Sequence, residues 1–232
     1  MNAGKTDARL LEAARLGRPG SAFADVGTDH AYLPIYLIKE GLSPRGLATD
    51  LRDGPVAAAR RNLAAAGISD RVTVRKCDGL DGIGEFAPDD IYILGMGGEL
   101  IRDILSRSDY VRRQGVRLIL QPMTKPEELR YYLSSAGFAE VDSALVRSSG
   151  RIYQIIAAEY DGKRRELSPE AALLGEINVS RGGQLLAEYA RRLSRSRRRA
   201  ADGIASAGGS AEELYLLADA LERIAEAAGQ LL

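Results

Sequence analysis

The chain has 232 residues, 45% of them hydrophobic, which is enough for one sizeable core with room for a smaller second unit. Its 32 basic and 32 acidic residues cancel, which excludes the global positive field of many nucleic-acid binders but not a local basic face. Cys77 is the sole cysteine, so the chain can build neither an internal disulfide framework nor a cysteine-based metal cluster, and no metal is expected.

Residues 1–9 are polar and charged, and no segment approaches the roughly 20 apolar residues of a membrane span; an unexported, cytoplasmic protein without a membrane partner is expected. From residue 21 to 159, short apolar runs alternate with amphipathic stretches, the pattern of a sheet wrapped by crossover helices. Strands are expected at 22–26, 46–50, 72–76, 91–95, 116–120, 140–146 and 153–159, five of them preceding helical stretches. Helices are expected near 30–39, 55–66, 99–106 and 125–136, started by proline or polar residues and stopped by Gly41, Gly67 and Gly137. The short link Arg147 to Arg151 cannot hold a crossover helix, so the last two strands pair as an antiparallel hairpin. A parallel sheet ending in such a hairpin is the layout of class I methyltransferases.

Residues 161–169 read as a linker, and the rest favours helix. Leu214, Leu217, Leu221, Ile224, Ala228 and Leu231 follow the spacings of a coiled-coil seam, with Leu186, Leu193 and Ala200 as the partner and Ala207 to Ser210 as the reversal. The expected fold is therefore α/β: a Rossmann-like class I catalytic domain over residues 1–160, then a C-terminal α-helical coiled-coil hairpin over 161–232. A hairpin closed within one chain makes the protein a monomer; pairing between chains, giving a dimer, is the alternative.

In an open parallel sheet, ligands bind beyond the carboxyl ends of the strands, so the residues after the first strand matter most. Here they are Asp25-Val26-Gly27-Thr28-Asp29-His30. Gly27 permits a tight turn with close backbone approach, and the next helix points its amide ends back at the ligand. Asp29 stands where a dinucleotide fingerprint would carry its second glycine. A carboxylate there repels pyrophosphate, whereas S-adenosyl-L-methionine (AdoMet) has no phosphate and carries a sulfonium and an ammonium, so Asp25 and Asp29 favour it. The alternative role of Asp29 is a cap for the helix. Asp50 ends the second strand, where a carboxylate can hold ribose hydroxyls. Asp53-Gly54-Pro55 resembles a helix start, with Asp53 read as its cap. Asp78-Gly79-Leu80 follows the third strand, either meeting the adenine edge or forming a plain turn. Cys77 reads as a packed thiol.

The fourth strand runs into Gly95-Met96-Gly97-Gly98, a segment with so little bulk that a planar base and the AdoMet methyl could approach backbone carbonyls closely; a flexible turn or helix start is the alternative. In methyltransferases acting on nitrogens of bases, this strand end commonly carries an Asn-Pro-Pro-Tyr type motif, whose place this segment could take. Gln121, after the fifth strand, faces the same rim and hydrogen-bonds either a base or its own loop. His30, the only histidine, lies beside Asp29 as a contact to substrate or cofactor, or as a structural strut. Methyl transfer to a ring nitrogen needs alignment more than acid/base help, although Asp29 could accept the proton the adenine loses.

Asp25 to Pro34, Asp53-Gly54-Pro55, Asp78-Gly79-Leu80, Gly95 to Gly98 and Leu118 to Pro122 together resemble, in order and spacing, the bacterial tRNA (adenine-22-N1)-methyltransferases called TrmK. The resemblance is close over the catalytic domain and lies mainly in helical character beyond it. It implies AdoMet-dependent methylation of N1 of an adenine in the tRNA D-arm region. Asp25, Gly27, Asp29, His30, Asp50, Asp78 and Gly79 would then serve the cofactor pocket, and Gly95, Met96, Gly97 and Gly98 would border the target base. A helix over 181–199 carries Arg181, Arg191, Arg192, Arg195, Arg197, Arg198 and Arg199 against the single acid Glu188, a stripe that can track tRNA phosphates. The acids Glu212, Glu213, Asp219, Glu222 and Glu226 of the facing helix could instead neutralise it. An N1 inside a paired arm is hidden, so the base must be splayed out.

Three rivals remain. A nicotinamide-dependent reductase lacks its glycine fingerprint here, and no tyrosine is followed four residues later by lysine. A non-enzymatic RNA-binding module would keep the aspartates only as fold determinants. A methyltransferase of another RNA, a protein or a small molecule is the third, and the basic helix argues against the protein and the small molecule.

Overall fold

The structure, a computed structural model, describes residues 7–230. Its sheet has seven strands: β1 (Phe23–Val26), β2 (Gly46–Asp50), β3 (Val72–Lys76), β4 (Asp90–Met96), β5 (Arg117–Pro122), β6 (Phe138–Ser148) and β7 (Arg151–Tyr160), in the order β3-β2-β1-β4-β5-β7-β6. The four pairings outward from β1 to β3 and to β5 are parallel, and β7 runs antiparallel between β5 and β6. The order reverses at β1/β4, the place where ligands bind in such sheets. Five helices flank the sheet: α1 (Ala8–Leu16), α2 (Tyr32–Lys39), α3 (Asp53–Ala66), α4 (Gly98–Ser106) and α5 (Pro126–Ala136).

The alternation of side chains along each strand builds two cores. Ile91, Ile93, Leu118 and Leu120 face Ile101, Leu105, Leu129 and Leu133 of α4 and α5. Tyr92 and Ile119 point the other way, toward Ala13 and Leu16 of α1, Leu37 of α2 and Leu63 of α3. Helix α1 was not legible behind the polar opening residues: Asp7 caps it by accepting from the Arg9 amide (3.0 Å), and Gly17 ends it. Residues 1–6 of that opening lie outside the described residues. The third strand is followed not by a crossover helix but by a single 3₁₀ turn, Ile83–Glu85.

Four further helices, α6 (Pro169–Leu174), α7 (Glu176–Arg181), α8 (Gln184–Ser206) and α9 (Glu212–Gln230), form the C-terminal unit. Helices α8 and α9 are antiparallel, as the links Gly183 N–Ala228 O (3.0 Å), Ser194 Oγ–Ala218 O (2.8 Å) and Tyr215 Oη–Asp202 Oδ1 (2.8 Å) show. The seam differs from the expected leucine register. Ala218, Leu221, Ala225 and Ala228 are buried against Leu186, Ala187, Ala190, Ser194 and Ala201, while Leu217 and Ile224 flank the seam and Ala200 is exposed. Small side chains let the two helices approach closely, so alanines take the places that the leucine spacing suggested. Leu231 lies outside the described residues.

The C-terminal unit joins α5 and β6 of the sheet domain through a buried polar joint at α6 and α7. Arg130, 2% exposed, donates to Glu140 (2.7 Å) and to the Ala172 carbonyl (3.2 Å), and Asn178 donates to Ser143 Oγ (2.9 Å). No described helix is long and apolar enough to cross a membrane.

Candidate active site

The turn after β1 is fixed by backbone bonds from Gly27 N and Thr28 N to the Thr49 carbonyl, both 2.8 Å, and by Thr28 Oγ1 donating to Asp25 Oδ2 at 2.6 Å. Gly27 takes φ +78°, and a Cβ there would overlap Met96 Cε, so the turn and the Gly95–Gly98 segment meet at this glycine. Asp25 is buried. Desolvation pushes its carboxyl up to about 6, the Thr28 hydroxyl opposes this, and the Asp50 charge adds to it. Two carboxylates thus sit at the carboxyl ends of the neighbouring strands β1 and β2.

Asp29 is not a helix cap. It lies at φ +48°, its side chain is 61% exposed, and the N-cap of α2 is Ala31, which offers no side-chain bond. Asp29 therefore presents a carboxylate at a backbone geometry that few non-glycine residues adopt, a pattern typical of functional turns. Its Oδ2 is 3.6 Å from His30 Nε2, and the His30 ring stacks on exposed Tyr32 at 5.4 Å between centroids.

Asp50 is buried, and its Oδ1 accepts from the Arg52 amide at 2.9 Å; among the described residues its Oδ2 has no partner. That oxygen fits a pair of ribose hydroxyls. Asp53 is not a cap either: the N-cap is Arg52, and Asp53 opens α3 with its carboxylate on Lys76 Nζ (2.8 Å). Asp78 is exposed and held by Arg107 through two bonds of 3.0 and 3.3 Å, which lower its pKa. Gly79 beside it packs against Ile104. Cys77 is half-buried, and burial pushes its thiol up, consistent with a packed rather than reactive group.

The four residues Gly95 to Gly98, which run from the end of β4 into α4, divide into two pairs. Gly95 sits at a bulge at φ +77°, exposed, where the β4–β5 register skips from Leu94 to Met96. Gly97 and Gly98 instead start α4, and the Met96 and Gly97 carbonyls already accept from the Met123 amide (2.7 Å) and the Ile101 amide (3.0 Å). The close carbonyl approach expected of the whole segment is therefore confined to the open bulge at Gly95. Gln121 lies within β5, 1% exposed. Its amide donates to the Pro122 carbonyl (3.0 Å) and its Oε1 accepts from Arg9 Nη1 (3.4 Å), so it braces its own loop and α1. Arg9, absent from the sequence reading, sits at this rim over the Tyr153 ring (4.9 Å).

On α8, Arg191 pairs with Glu222 (3.6 Å), Arg198 with Asp219 (2.5 Å) and Arg197 with Glu127 (3.8 Å), while Arg181 on α7 pairs with Asp142 (2.7 Å). Among the described residues, Arg192, Arg195 and Arg199 form no ion pair. The described residues contain no cluster of three or more histidine, cysteine or acidic side chains able to hold a metal ion.

A family profile described as a methyltransferase domain matches residues 6–156. The chain is 34% identical over 169 residues to the tRNA (adenine(22)-N(1))-methyltransferase of Bacillus subtilis strain 168, an alignment covering 70% of this chain and 71% of that protein. The crystal structure of the B. subtilis m1A22 tRNA methyltransferase TrmK matches with a TM-score of 0.83 at 26% identity, over 97% of this chain and 98% of that one. A Streptococcus pneumoniae protein solved in complex with S-adenosyl-L-methionine matches with a TM-score of 0.79 at 27% identity, over 98% and 100% of the two chains.

Proposed function

The chain belongs to the family of tRNA (adenine(22)-N(1))-methyltransferases and is an AdoMet-dependent methyltransferase of adenine N1 in tRNA; from that premise we propose that it acts on the adenine at position 22 and that its AdoMet site is the Asp25–His30 turn with Asp50 and Asp78. The observation that carries the site assignment is Asp29: an exposed carboxylate at positive φ, free of capping duty, at the switch point of the sheet. With Asp25 and Asp50 it makes an acidic mouth that attracts a sulfonium and an ammonium and repels pyrophosphate. The free Asp50 Oδ2 takes the ribose hydroxyls.

When bound, AdoMet supplies an electrophilic methyl group, which the N1 lone pair takes as the carbon–sulfur bond breaks and its electron pair goes to sulfur. The residues of this chain align the partners rather than activate them. The Gly95 bulge leaves room for the splayed adenine, and the stacked His30–Tyr32 pair offers a flat surface beside it. The Asp29 carboxylate faces the positive charge that N1 methylation leaves on the base and accepts the proton that the base then sheds. Arg192 and Arg195, which form no ion pair on α8 among the described residues, contact the tRNA, Arg195 through its phosphates, with Arg191 and Arg198 contributing less because acids already hold them. We place the enzyme in the cytoplasm as a monomer, with the catalytic domain over residues 1–160 and the helical unit over 161–232.

Asp29→Asn tests the assignment, because asparagine tolerates the same backbone region and removes only the charge. Calorimetry is expected to show AdoMet affinity falling about five- to tenfold. Unchanged affinity together with unchanged tRNA methylation would place the cofactor elsewhere.

A further inference from the structure

A cavity of about 260 Å³ has a lining that includes Met123, Arg151, Tyr153, Gln154, Tyr189 and Arg192. It sits at the seam between catalytic domain and helical unit. Strand β7 is antiparallel to β5 with Leu120 opposite Ile156, so continuing that register puts the start of β7 at the same edge of the sheet as the end of β5. The cavity is thus about two strand spacings, roughly 10 Å, from the Gly95 bulge.

Three features make it more than a packing gap. Gln154 is 2% exposed, its Nε2 donates to the Leu173 carbonyl (2.7 Å) and to Tyr189 Oη (2.9 Å), and its Oε1 is buried without a partner among the described residues. A buried acceptor left unmade is costly, and it calls for a donor from a ligand. Tyr189 accepts from Gln154, which leaves its own O–H to donate, so an acceptor and a donor stand side by side. The Arg192 guanidinium lies over the Tyr189 ring at 4.9 Å and, among the described residues, has no ion pair, giving a planar cationic surface.

We propose that this cavity is a second nucleotide subsite, which takes the tRNA nucleotide neighbouring the target adenine: its base stacks on Arg192 and bonds Gln154 Oε1 and Tyr189 Oη, while Arg151 meets its phosphate. Every nucleobase carries an adjacent donor and acceptor, which matches this pair, and the positive charge matches the phosphate. Holding the neighbour here keeps the target adenine out of its helix. The inference rests on the tRNA reading above and adds to it the place where a second base is held.

The test measures kcat/KM for N1-methyladenosine formation by the full chain on intact tRNA and on tRNAs abasic at either nucleotide flanking the target. The wild-type protein is expected to lose about tenfold on one abasic tRNA. Gln154→Met is expected to lose about tenfold on intact tRNA and nothing further on that abasic tRNA. Arg192→Ala, a change on an exposed side chain that should leave folding intact, is expected to show the same loss without addition. Losses that multiply, or abasic tRNAs methylated like intact tRNA, overturn the subsite alone. A wild-type protein that forms no N1-methyladenosine on intact tRNA overturns the tRNA reading and the subsite with it.

Discussion

At the scale of single residues, the site is marked by charges held at a cost. Asp25 has its pKa raised from 3.8 to about 6 by burial, so the folded chain keeps the proton between those values while the unfolded chain has lost it. Its contribution to stability is therefore fully present below about pH 4 and is lost as the pH rises through 6, the loss reaching about 3 kcal/mol by neutral pH. Asp25→Asn can still accept the Thr28 hydroxyl and carries no charge. It is expected to raise the thermal midpoint of the ligand-free protein at pH 7.5, by about 2–4 °C per kcal/mol, with a smaller gain at pH 5, and to weaken AdoMet binding. Thermal unfolding at the two pH values checks this; a lower midpoint at pH 7.5 would show that the Asp25 charge serves the fold rather than the ligand.

At the scale of elements, the Gly95–Gly98 segment shows how similar residues serve different ends. A Cβ on Gly98 would overlap the Lys125 carbonyl oxygen, because α4 begins where the β5–α5 connection passes and Gly98 N donates to the Thr124 carbonyl (2.8 Å). A Cβ on Gly95 meets open space and costs only its positive φ, about 1–2 kcal/mol. Gly98→Ala is thus expected to lower both the thermal midpoint and kcat/KM more than Gly95→Ala; the reverse order would mean that the bulge, not the helix start, carries the geometry. The sequence could not distinguish these glycines, because the contact on Gly98 comes from Lys125, in a connection far along the chain. Periodicity did give the sheet, its crossover helices and the closing hairpin, since burial on alternate faces leaves its mark residue by residue. It missed α1, whose polar start hides Ala13, Ala14 and Leu16, and in the α8–α9 seam it found Leu186, Leu221 and Ala228 but not the small residues Ala187, Ala190, Ala218 and Ala225 buried beside them. Within the site, the aspartates were visible as residue types, whereas the φ of Asp29, the bracing role of Gln121 and the presence of Arg9 depend on tertiary structure.

At the scale of the whole molecule, the polar joint between the units holds the basic face of α8 relative to the catalytic rim. Arg130→Met removes the partner of Glu140, whose other oxygen is already buried without a bond, and is expected to cost about 3–5 kcal/mol. Because the joint lies away from Asp25–His30, AdoMet affinity below the melting transition should change little while KM for tRNA rises; an unchanged KM would mean that the helical unit needs no fixed orientation. The central claim, that an acidic AdoMet turn and an open bulge together methylate N1 of a tRNA adenine, is tested most directly by incubating the protein with labelled AdoMet and unmodified tRNA and then analysing the nucleosides. The label should appear in N1-methyladenosine. Label in any other nucleoside, or none in tRNA, would contradict it.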